Sequence, residues 1–169
     1  MMLSERMGID DIDCKIMDLI QKEPNLTHAQ IAEFINRSQP TVGVRISKLQ
    51  KLGVLKFQAG ITLKNKKLCF AQVDIQTNNP SNAFEVVKNC PFILNGFRLS
   101  GEYNLSIIIT GVNYKDIDKV INYHFRNNPD ISNVAMEIIL DVADDLIMPL
   151  NLNSEHQQIC PVCNENINY

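Results

Sequence analysis

The sequence predicts an α+β protein, an N-terminal winged helix-turn-helix followed by a ferredoxin-like βαββαβ domain. Three observations carry this. Apolar residues recur at helical spacing in three short runs before Leu52. From Phe34 to Val73 the chain holds eight basic residues and no acidic one. Beyond residue 67 the apolar pattern switches between alternating and helical periods in the order β-α-β-β-α-β. Residues 1–60 form the first domain, 61–67 a linker, 68–145 the second domain and 146–169 a C-terminal tail.

The first helix carries Ile9, Ile12, Ile16, Leu19 and Ile20 on one face, with Asp10 as its N-cap. It stops at Glu23, because the residue before Pro24 resists the α region. The second helix opens with a capping box, Thr27 to Gln30, and turns Ile31, Phe34 and Ile35 inward. A tight turn, "NRS", leads to Ser38, which caps the third helix with Pro40 in its first turn. Val42, Ile46 and Leu49 then make the inward stripe. Thr41, Arg45 and Lys48 follow the same spacing one residue earlier, with Gln39 at the N-terminal end. A recognition helix needs this division into a buried face and a face of hydrogen-bond donors. Gly53 ends the helix, and "LGVLKFQAGITLK" predicts a hairpin, the wing.

In the second half, Cys69, Ala71, Val73 and Ile75 alternate as a strand, and "SNAFEVVKN" reads as a helix. "FILNGFRLS" and "NLSIIIT" are strands joined by "GEY". "NYKDIDKVINYHFRN" is the second helix, with His124 on its inward side, and Val134 to Val142 alternate as the last strand. An antiparallel sheet of this topology carries both helices on one face. The other face still holds apolar residues and is expected to pair with a second subunit.

The chain has 169 residues and is 45% hydrophobic, enough for a substantial core. No apolar run approaches the roughly 18 residues of a membrane span, and the N-terminus lacks a signal-peptide pattern. A cytoplasmic protein that does not engage membranes is expected. The net charge of −3 conceals an asymmetry: residues 1–67 hold 11 Lys and Arg against 7 Asp and Glu, and residues 68–169 hold 5 against 12. Such segregation suits a polyanion-binding N-terminal part, and double-stranded DNA is the expected partner. No Ser-His-Asp set, paired catalytic carboxylates, glycine-rich phosphate loop or HExxH motif is present, so the chain is not expected to be an enzyme.

The segments "IDDIDCKIMDLI", "AQIAEFINRSQPTVGVRISKLQKLGVL" and "FRLSGEYNLSIII" together resemble the Lrp/AsnC (leucine-responsive regulator) family of bacteria and archaea, over roughly residues 8–142. The first two carry the opening Ile-Asp and the closing Leu-x-x-x-Gly-Val step, and the third resembles the Gly-x-Tyr-Asp turn of the effector domain. The resemblance implies a transcription regulator that binds promoter DNA as a homo-oligomer (dimer, tetramer or octamer). It places Ser38, Gln39, Thr41, Arg45 and Lys48 on DNA. It places Gly101, Tyr103, Asn104 and Met136 at a site for an amino acid or other small effector. Two positions depart from the pattern: Asn104 stands where the family has Asp, and Met136 where it has Thr. Asn104 supplies no charge to pair with an ammonium and Met136 no strong hydrogen bond, so ordinary amino-acid sensing is expected to be weakened or lost.

The tail "EHQQICPVCNENINY" lies beyond the resemblance. Its H-x3-C-x2-C spacing offers His156, Cys160 and Cys163 as up to three ligands for zinc. A redox pair of Cys160 and Cys163, or a tail with neither role, stays open. Two functional alternatives therefore accompany the specific regulator. One is an architectural protein that coats DNA with little sequence preference. The other is a metal or thiol sensor whose output is DNA binding.

Overall fold

The computed structural model describes residues 3–150; His156, Cys160 and Cys163, the expected metal or redox residues, lie outside them. The chain divides into two compact units, one ending at Gln58 and one beginning at Ala59.

The first unit is helical: α1 (Leu3–Met7), α2 (Asp11–Lys22), α3 (His28–Phe34) and α4 (Gln39–Lys51). Each of the longer helices starts where a short polar side chain caps it. Asp10 and Asp13 form a capping box on α2, Thr27 and Gln30 another on α3, and the Ser38 hydroxyl accepts from the Thr41 amide on α4. Ile16, Ile20, Ile31, Ala32, Val42, Ile46 and Leu49 close into one apolar cluster. Each large side chain so buried contributes about 1.5–3 kcal/mol. Phe34, expected inside, is 67% exposed. The α3 helix spans two turns and buries Ile31 and Ala32, which leaves Phe34 on the rim. Gly53 takes φ +69 just after α4, and the Val54 amide returns to the Leu49 carbonyl at 3.0 Å, a closed helix end that favours glycine.

The expected wing does not form a hairpin of its own. Residues 54–60 are irregular, and β1 (Ile61–Thr62) pairs antiparallel with β6 (Ile147–Met148). The expected linker 61–67 is thus built into the second unit, as is the start of the expected tail. The Leu63 amide donates to the Leu146 carbonyl, and Leu63 packs with Phe70, Leu94 and Met148. Gly60 permits the pairing, since a Cβ there would overlap the Met148 carbonyl.

The second unit holds β2 (Cys69–Thr77), α5 (Pro80–Asn89), β3 (Ile93–Arg98), β4 (Leu105–Gly111), α6 (Tyr114–Ile121) and β5 (Ile131–Ile138). The four longer strands make an antiparallel sheet in the order β3-β4-β2-β5, the ferredoxin-like arrangement. Ala71, Val73, Ile75, Leu105, Ile107 and Ile109 face α5 and α6 and form the main core with Ile117, Ile121 and Phe125. One π-helical turn, Asn122–Arg126, extends α6 and buries His124 and Phe125. Strand β5 ends at Ile138, and Leu140, expected to continue its alternation, is 93% exposed. Among the described residues no helix is long and apolar enough to cross a membrane.

Candidate nucleic-acid interface

The geometry of α3 and α4 follows from the four residues between them, Ile35 to Ser38. Asn36 adopts φ 52, a left-handed conformation that Asn tolerates, and the Arg37 amide caps the Ala32 carbonyl at 2.9 Å. Ser38 then starts α4, its hydroxyl 2.8 Å from that of Thr41. The basic side chains of α4 are set by what α2 offers them. Arg45 Nη1 donates to Asp10 Oδ1 and Oδ2 and to Asp13 Oδ1, each at 2.8 Å. Lys48 Nζ donates to Asp13 Oδ2 at 2.8 Å.

Asp13 is fully enclosed, whereas the Arg45 and Lys48 side chains are 23% and 44% exposed. A buried carboxylate without partners would resist ionisation. At Asp13 burial pushes the pKa up, but the hydrogen bonds from Lys48 and Arg45 outweigh it, and the group lies below the usual carboxylate range. The Arg45 hydrogen bond lowers Asp10 to about 2, helped by the Asp13 backbone amide. Arg45 in turn is raised, first by Asp10 and then by Asp13. Two acids at the start of α2 and two bases along α4 thus form one charged clasp between the helices.

The clasp divides the sequence-predicted residues. Ser38 and Gln39 are exposed at the leading end of α4, and Thr41 is half-buried beside them. Arg45 and Lys48 lie on the flank turned toward the N-terminus of α2. The face pointing away from the core is a different stripe, with Pro40, Val44, Ser47 and Lys51 all exposed. At about 100° per residue, Val44 stands about 200° from both Val42 and Ile46. The apolar stripe alone therefore contains this placement, and the polar run of Thr41, Arg45 and Lys48 lies on the flank beside it.

The residues expected at an effector site are also engaged. The Asn104 amide grips the backbone of Thr77 twice: Oδ1 accepts from the Thr77 amide at 3.0 Å, and Nδ2 donates to the Thr77 carbonyl at 2.8 Å. The Tyr103 hydroxyl accepts from Asn133 Nδ2 at 2.8 Å. Gly101 lies in the turn between β3 and β4. Met136 sits opposite Val73 and packs on the main core of its unit. The structure joins Asn104 to the end of β2 and Tyr103 to β5. No group of three or more His, Cys, Asp or Glu suited to a metal ion occurs among the described residues.

Comparison with known proteins agrees with this architecture. A family model described as "Winged helix-turn-helix DNA-binding" matches residues 9–56. The HTH-type transcriptional regulator LysM of Sulfurisphaera tokodaii is 26% identical over 119 residues, 68% of this chain and 83% of that one. The HTH-type transcriptional regulator LrpA of Pyrococcus abyssi is 25% identical over 140 residues, 79% of this chain and 97% of the relative. Among solved structures, E. coli AsnC superposes with a TM-score of 0.69 at 15% identity, covering 80% of this chain and 95% of AsnC. The fold is that of AsnC: a winged helix-turn-helix unit followed by an α+β unit with an antiparallel sheet.

Proposed function

We propose that this chain, a DNA-binding transcription regulator of the Lrp/AsnC type, binds promoter duplex in a sequence-specific manner as a dimer or larger homo-oligomer. The observation that carries this is the exposed face of α4, which offers hydroxyl, amide and ammonium groups with no carboxylate from Phe34 to Val73. Ser38, Gln39 and Thr41 approach base edges at the leading end of the helix, and Lys48 and Lys51 approach phosphates. Arg45, held by two carboxylates, acts chiefly by fixing α4 against α2. The sheet face opposite α5 and α6 supports pairing of two chains, since Ala135 and the exposed Phe97 lie on it beside Gln72 and Asp74.

A footprint of the full chain on selected and on random duplex tests the specific reading. Protection confined to selected sites supports it, and uniform coverage of both would establish the architectural alternative. In a gel shift, Gln39→Ala should relax sequence preference, while Lys48→Ala should weaken all duplexes alike. Unchanged binding by the double variant would reject the assignment.

For regulation, the engagement of Asn104 with Thr77 supports a loss of amino-acid sensing at that position. The spacing of His156, Cys160 and Cys163 supports the tail as a second input, through zinc or through thiol oxidation. Elemental analysis of protein purified without a metal-affinity tag, followed by gel shifts after chelator or oxidant, tests both forms. Metal-free protein whose DNA binding ignores the oxidant would dismiss them.

A further inference from the structure

The most exposed apolar side chain on α4 is one that neither the charge pattern nor the clasp explains. Val44 is 71% exposed at the middle of a 13-residue helix, directly opposite the buried stripe. A β-branched residue there is worse for the helix than Ala and gains nothing from burial. Its surroundings are low. Gly43 beside it has no side chain, Ser47 one turn on is short, and Pro40 one turn back is a compact apolar ring. Together these residues line a shallow groove that ends in Lys48, Lys51 and Leu52. The two γ-methyls of Val44 therefore stand proud of a groove whose lining includes Lys48 and Lys51 and no carboxylate.

We infer that Val44 is a base-reading residue, packing its methyls against the C5-methyl of a thymine in the major groove. The inference rests on the DNA-binding reading above and adds the base that α4 selects. The chemistry is direct. Among the base edges of the major groove, only thymine presents a methyl group, and an apolar side chain is what distinguishes it. The exposed ammonium of Lys51, with Lys48 beside it in the clasp, favours a polyanion over an apolar protein surface as the occupant of this face. Pro40, one turn earlier on the same side, continues the apolar track toward the leading end of the helix.

The test replaces thymine with uracil, which removes the methyl and leaves every hydrogen-bonding group in place. The full-length chain selects a preferred duplex from a random pool, and each thymine of that site is then replaced singly. Wild-type protein should lose about three- to five-fold in affinity at one thymine per half-site, the size of one buried methyl contact. Val44→Ala should bind thymine and uracil duplexes equally at that position, and Val44→Thr, which keeps one methyl, should retain part of the preference. Because the side chain is exposed and Ala favours helix, Val44→Ala should melt no lower than wild type, so misfolding does not confuse the result. Wild-type indifference to uracil at every position overturns the inference and leaves the DNA-binding reading standing, as does full uracil sensitivity in Val44→Ala. Failure to select any duplex overturns both.

Discussion

Asp13, enclosed on the first turn of α2, and Arg45, midway along α4, meet at 2.8 Å across 32 residues of sequence. Lys48 reaches the other oxygen of the same carboxylate, so the helix proposed to face DNA is fastened through its own basic groups. Positive charge on α4 thus has two uses, and they are separable by experiment.

Asp13→Asn should destabilise the first unit by about 1–3 kcal/mol, below the full cost of breaking a buried pair, because Lys48 can return to water and Arg45 keeps Asp10. The same change frees Lys48 and leaves Arg45 paired with Asp10 alone. If Arg45 acts on DNA chiefly by fixing α4, affinity should fall although net positive charge rises. Tighter binding by Asp13→Asn would show instead that the charge released on α4 outweighs the loss of the clasp. Hydrogen exchange of α2 and α4 amides, read alongside gel shifts, separates the two effects.

Acid should loosen the clasp. Asp10 and Asp13 both have folded-state pKa values below their unfolded ones. Their contribution is therefore complete above about pH 4 and is lost as the pH falls through their folded-state values, about 2 for Asp10. Amide exchange in α4 should accelerate across that window, and Arg45→Ala should flatten the dependence. An equally steep acid response in Arg45→Ala would place its origin elsewhere.

Lys51 and Lys48 should differ in kind. Lys51 is exposed on the outward face of α4, and Lys48 shares the clasp. Lys51→Ala should reduce the slope of log K against log salt by about one per bound chain, with unchanged stability. Lys48→Ala should lower both the slope and the melting temperature. Equal stability losses in the two variants would contradict the assignment.

These distinctions follow what local sequence can encode. The caps at Asp10, Thr27 and Ser38 were legible because each links a side chain to an amide two or three residues away. The stripe of Val42, Ile46 and Leu49 was legible from its period. The clasp was not, since it depends on how α2 crosses α4. The expected wing misled for a related reason. Ile61 and Thr62 have strand character, but their partners, Met148 and Ile147, lie far along the chain, and only the folded second unit brings them together. Phe34 shows the limit of period alone on a short helix, because a helix of two turns has room to bury only part of its apolar side.

Asn104 offers the sharpest test of regulation. An Asp at this position could accept from the Thr77 amide, but only an amide can also donate to the Thr77 carbonyl. The residue therefore serves as a bracket between the start of β4 and the end of β2, and a carboxylate would set its charge against that carbonyl. Asn104→Asp should lower the stability of the second unit by about 1–3 kcal/mol, the cost of an unpaired buried acceptor, and Asn104→Ala should cost a similar amount. Calorimetry of the wild-type chain with each of the twenty amino acids should show no micromolar binding, because the side-chain amide supplies no charge for an ammonium and both of its arms are already used. Micromolar binding of any amino acid that Asn104→Ala leaves intact would move the effector site away from this turn. If Asn104→Ala abolished such binding instead, the amide would be a ligand contact as well as a bracket.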